Sequence, residues 1–164
     1  MAISQNQLAV INDYRSRLPV DVVGMIEALG VDYEGSFDLD SDISGEIERL
    51  NESKFVIRVN ATHADTRQRF TAAHELGHYM LHRSLIGEGL DDNKAYRSQA
   101  VGKFHNTNIT ARHETEANQF AAAVLMPTGL VVLEHAKNSD IGHLASRFGV
   151  SHEAMRIRTK SLNL

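Results

Sequence analysis

Between Val31 and Asn60 the chain alternates apolar and polar residues in short segments, and this texture limits the fold more than any other feature. "VDYEG", "GEIERL" and "KFVIRVN" are each strand-length, and the turn formers "LDSDIS" and "NES" separate them. Segments this short cannot each bury a helical face, but together they make one small sheet of about three strands, mainly antiparallel. The rest of the chain has helical periodicity. Residues 4–17 set Leu8, Ile11 and Leu18 on one side of a helix. Pro19 opens a second helix, which Gly30 ends. Helical spacing returns near Asp65 and runs to His82. It resumes over 111–126, where Pro127 stops it, and three short helices follow, broken at 138–140 and at Gly149. Strands in one block and helices in others predict an α+β fold: the sheet packs on helix 65–82, and a helical C-terminal part follows. The expected division is a core over 1–127 and a helix-turn-helix-like subdomain over 128–164.

At 164 residues with 42% hydrophobic content, the chain can bury a core of single-domain size. A net charge of −4 argues against a general binder of polyanions. No run nears the roughly 20 apolar residues that span a bilayer. Asp13, Arg15 and Arg17 stand where a signal peptide needs its apolar stretch, so a cytoplasmic protein with no membrane contact is expected. Cysteine is absent, and any transition metal must therefore be held by histidine and carboxylate.

Such donors occur in "FTAAHELGHYML", residues 70–81. His74 and His78 are four apart, about 40° from one another on a helix, and can aim both imidazoles at one ion. Glu75 is rotated by about 100° from His74, which places it beside an ion, where a general base toward an activated water is wanted. Nitrogen and carboxylate donors suit zinc. Gly77 marks a place for another element to pack close. With nine histidines in the chain, a chance pair at this spacing is the plain alternative. A third donor on a later helix would decide between them.

"HETEANQFAAAVLMP", residues 113–127, offers Glu114 and Glu116. On a helix these two point about 160° apart, so only one can face the ion. Asn118 is four after Glu114 and faces the same way, where its amide can accept a hydrogen bond from a ligand histidine. Glu114 is the preferred ligand and Glu116 the alternative. His82, about 12 Å along the axis from His74, is too far to share the ion and reads as a helix-end residue complementing the dipole. His113 reads as a partly exposed helix-start residue, and His135, His143 and His152 as surface positions.

With both segments placed, the chain resembles the ImmA/IrrE family of metallopeptidases. The likeness rests on "RQRFTAAHELGHYMLHR" and "HETEANQFAAAVLMP", supported by "SGEIER…FVIRVN" and "LASRFGVSHEAMRIR". The resemblance implies a gluzincin-like zinc site. His74, His78 and Glu114 would be ligands, Glu75 the catalytic base, and Asn118 the asparagine four after the ligand glutamate. A third histidine six residues after His78 is excluded, because Ser84 stands there. Relatives of this kind act on helix-turn-helix repressors, which implies a protein substrate and a regulatory role.

A donor for the developing oxyanion is also needed, and Tyr79, Tyr96 and His105 are the candidates. "KFVIRVN" is expected as the sheet edge that pairs with an extended substrate. Two rival readings involve no proteolysis. One is a DNA-binding regulator, in which Arg156, Arg158 and Lys160 of a helix-turn-helix reach phosphates; the acidic balance and an arginine where that motif wants a buried aliphatic weigh against direct nucleic-acid binding. The other is a metal-binding partner that sequesters a repressor, which would have no use for Glu75.

Overall fold

The computed structural model describes residues 3–36, 38–86 and 109–164. Helix α1, Gln5–Tyr14, begins at a reciprocal cap: the Ser4 hydroxyl accepts from the Gln7 backbone and the Gln7 side chain accepts from the Ser4 backbone. Helix α2, Val22–Ala28, starts three residues after Pro19, because Asp21 and not the proline caps it, accepting from the Gly24 N–H at 3.0 Å. Gly30, at φ +79°, turns the chain out of α2.

Strands β1 (Asp32–Ser36), β2 (Gly45–Arg49) and β3 (Phe55–Asn60) form one sheet in the order β1-β3-β2. The α+β class and the three strands match the sequence reading. The orientation is mixed: β2 pairs antiparallel with β3, Ile47 opposite Ile57, while β1 runs parallel to β3, Tyr33 opposite Ile57. "KFVIRVN" is therefore the central strand and cannot be the edge, since its backbone is bonded on both sides. The near-continuous apolar run Phe55, Val56, Ile57, Val59 carried that information, because strands covered on both faces lose the alternation. To produce this order the chain must pass from β1 across the sheet before the hairpin brings it back. Asn60, fully buried, holds that crossover: its amide donates to the carbonyls of Ile43 at 2.9 Å and Asp40 at 3.1 Å, and its Oδ1 accepts from Thr62.

Helix α3, Asp65–His82, lies on the sheet and buries Ala72, Ala73, Leu76, Tyr79 and Met80 into the same core as Ile47, Phe55 and Ile57. A 3-10 turn follows at Arg83–Leu85. Helix α4, Ala111–Leu125, crosses α3 at Gly77, where an added Cβ would lie 3.1 Å from both the Cα and the carbonyl oxygen of Ala117. Nothing larger than glycine lets two backbones approach that closely. Helices α5 (Thr128–Lys137), α6 (Ile141–Phe148) and α7 (His152–Ser161) complete the chain, and Val131, Leu144, Phe148 and Met155 join the same buried cluster. Arg69 of α3 ties distant segments together, with Nε donating to the Gly149 carbonyl at 2.9 Å and Nη2 to the Val20 carbonyl at 2.7 Å. Among the described residues no single helix is long and apolar enough to cross a membrane.

Candidate metal centre

The close crossing of α3 and α4 brings His74 and His78 opposite Glu114. The two Nε2 atoms are 3.1 Å apart, and Glu114 stands 3.4 Å from His74 Nε2 and 3.0 Å from His78 Nε2. Both histidines are almost fully buried and Glu114 is partly so. One donor atom from each lies within 4.8 Å of the others, so the group could hold a metal ion.

The hydrogen bonds behind the rings bear on this. His74 Nδ1 lies 2.9 Å from Asn118 Oδ1, an oxygen that only accepts, so Nδ1 carries a proton and, in the neutral ring, the Nε2 lone pair faces the centre. Two imidazoles this close cannot both be protonated. Burial lowers both pKa values, but for His74 the Glu114 hydrogen bond and the charges of Glu75 and Glu114 outweigh it and leave the value above the ordinary one. For His78 burial prevails, helped by the neighbouring His74, and the value falls. Lone pairs and a carboxylate converging in a buried space make a receptor for a cation.

Glu75 is fully buried, and neither carboxylate oxygen has a hydrogen-bond partner among the described residues. Burial pushes its pKa up to about 8, with Glu114 and Glu46 adding to the rise and His74 opposing it. An unpaired buried carboxylate is costly, and a dication at the donor triangle would offset that cost.

Glu116 faces away from the triangle. Its Oε2 lies 3.0 Å from His82 Nε2 and its Oε1 accepts from Arg112 Nε at 2.8 Å. The wide angle between positions 114 and 116 on α4 sends the two carboxylates to different histidines. His82, read from the sequence as a dipole-complementing helix end, is instead only 5% exposed, with Nδ1 3.2 Å from His78 Nδ1. The signal was present, since 78 and 82 share the spacing of 74 and 78, but the partner on α4 was not visible. His113 packs its ring 4.6 Å from that of His82 and accepts from the Thr110 N–H at the start of α4.

Tyr79 lies in the core with its ring edge-on to Phe55, centroids 5.2 Å apart, and Arg83 over it. Tyr96 and His105 fall outside the described residues. In the C-terminal helices Arg158 is turned inward, donating to the Met126 carbonyl and the Thr128 hydroxyl, each at 3.0 Å. That accounts for an arginine where a helix-turn-helix wants an aliphatic. Arg156 is engaged with Glu153 along α7, while Lys160 is exposed near the helix end.

A solved structure of a Mycobacterium tuberculosis transcriptional regulator shares the fold, with a TM-score of 0.58 at 20% identity over 94% of this chain. This chain covers 46% of that protein, less than half its length. No curated protein matches the sequence. The peptidase family described as the IrrE N-terminal-like domain matches residues 37–160, which take in β2, β3, both site helices and the helices after them. Matched over most of its length, the chain belongs to the IrrE N-terminal-like peptidase family.

Proposed function

We propose that this chain is a zinc-dependent endopeptidase that cuts a helix-turn-helix transcriptional repressor as a regulatory switch. One observation carries the reading: a buried His-His-Glu donor triangle stands beside a buried carboxylate, Glu75, that has no partner among the described residues. Donors around tetrahedral zinc, with bonds of roughly 2.0–2.1 Å, lie about 3.3 Å apart. The two Nε2 atoms are 3.1 Å apart, and the nearest Glu114 oxygen is Oε2 at 3.4 Å from His74 and Oε1 at 3.0 Å from His78, separations of the size such an ion draws together.

His74, His78 and Glu114 would hold the zinc, and Asn118 would keep His74 in the tautomer that presents Nε2. When bound, zinc supplies Lewis-acid polarisation of the scissile carbonyl and makes a water acidic enough to attack near neutral pH. Glu75 accepts the proton of the attacking water and delivers it to the leaving amine. Its burial keeps bulk water from competing for that proton. The β2 strand, which is at the sheet edge and packs on α3, offers its backbone to an extended substrate in place of β3. The helix-turn-helix repressor as substrate follows from the family likeness, and the regulator that shares the fold is in keeping with it. The rival reading, direct DNA binding through α7, is disfavoured by the inward bonds of Arg158.

The test is to incubate zinc-loaded protein with candidate repressors and identify fragments by mass spectrometry. Wild type should cut, and Glu75→Gln should retain zinc but lose cleavage. A Glu75→Gln protein that cuts normally would overturn the mechanism.

A further inference from the structure

We infer that His82, Glu116 and Arg112 form a positioning chain that holds the ring of His78 with its Nε2 lone pair turned toward the donor triangle. This rests on the metal-site reading above and adds to it three residues outside the ligand set.

The direction of the chain follows from what each atom can donate. Glu116 Oε2 only accepts, so the contact of 3.0 Å to His82 Nε2 requires the proton on that nitrogen. In its neutral form His82 is then the Nε2–H tautomer, and its Nδ1 is an acceptor. The 3.2 Å contact between His82 Nδ1 and His78 Nδ1 is satisfied only if His78 carries its proton on Nδ1. That leaves His78 Nε2 as a bare lone pair facing His74 Nε2 and Glu114. The opposite tautomer of His82 would set a proton against His78 Nδ1 and turn an N–H of His78 into the centre, where no cation could be bound.

Each link is held in place. Arg112 Nε donates to the other oxygen of Glu116 at 2.8 Å, fixing the carboxylate on the surface of α4. The His113 ring flanks His82 at 4.6 Å. His82 lies one turn beyond His78 on α3, and Glu116 lies on α4, so the chain spans the same helix pair as the donors. His74 meets an amide on α4, whereas His78 is oriented through a histidine and a carboxylate.

The experiment measures Zn²⁺ affinity of metal-stripped, full-length protein by competition with a chromophoric chelator. His82→Leu keeps the bulk and removes the acceptor, and it should weaken zinc binding about 10- to 100-fold. His82→Asn places an amide oxygen near the position of Nδ1 and should restore binding to within about threefold of wild type. Thermal unfolding of the metal-free proteins checks that both variants fold. If His82→Leu does not fold, His82→Asn and the wild-type spectrum decide the matter. Nitrogen NMR of zinc-loaded wild type should find His82 protonated at Nε2 and His78 at Nδ1. A His82 proton on Nδ1 would overturn the inference, as would a folded His82→Leu that binds zinc like wild type. Wild-type protein that binds no zinc sinks the metal-site reading itself, and the inference falls with it.

Discussion

Gly77→Ala tests whether the spacing of α3 and α4 sets the donor triangle. The new methyl would lie 3.1 Å from the Cα and carbonyl oxygen of Ala117 and 3.3 Å from the Phe120 Cβ, where ordinary contact begins at 3.4 Å. Two of these atoms are backbone and cannot rotate away, so α4 must retreat by about 0.3 Å or more. Overpacking of this kind costs about 1–3 kcal/mol. Alanine in a helix regains about 1 kcal/mol over glycine. The metal-free protein should therefore lose no more than about 2 kcal/mol by urea denaturation. The effect on metal should be larger in proportion. Glu114 rides on α4 one turn from Ala117, and metal–ligand bonds tolerate only about ±0.2 Å. Zinc affinity by chelator competition should fall about tenfold or more. Gly129→Ala is the control, since a Cβ there meets nothing within 4 Å, and it should leave zinc binding unchanged. A folded Gly77→Ala protein with wild-type zinc affinity would refute the spacing argument.

Four further outcomes are expected. In metal-stripped protein, Glu75 ionises near 4.5 when unfolded and near 8 when folded, so the folded state holds the extra proton between those values and stability falls as pH rises. At about 1.4 kcal/mol per pH unit this amounts to about 3 kcal/mol by pH 7; Glu75→Gln should abolish that slope, and parallel urea-stability curves for the two proteins would show the reasoning wrong. Arg69→Met leaves the Gly149 and Val20 carbonyls without their donor and should cost roughly 2–3 kcal/mol in chemical denaturation. Asn60→Ala strips the crossover of its buried bonds and should cost about 3 kcal/mol, with a change near zero excluding the role given to it. Zinc at a thousandfold excess over its dissociation constant should stabilise the stripped protein by about 4 kcal/mol, seen as a raised melting temperature.

Periodicity made the helices and strands legible because each depends on its own residues. Gly30, Gly149 and Pro127 marked boundaries that the structure keeps, since a positive φ or a missing N–H acts locally. Pro19 misplaced a helix start because Asp21, two residues later, supplies the cap. Strand order was harder to read. Local alternation says that β3 is a strand, but which strands flank it depends on the crossover held by Asn60, a contact far along the chain. The same holds at the site. The spacing of His74 and His78 lies within one helix and could be read directly. The bond of His82 to Glu116 and the clamp of Arg69 exist only once helices distant in sequence have docked.

The clamp at Arg69 also governs how the molecule opens. One guanidinium on α3 donates to a carbonyl near the start of the chain and to another in the turn between α6 and α7. Peeling off either end uncovers a half-buried charge and breaks the shared apolar cluster. The ends therefore should not fray ahead of the centre. Amide hydrogen exchange in α2 and α6 should be governed by global unfolding, at rates matching those of α3, so that the chain behaves as one cooperative unit closed upon its central helix.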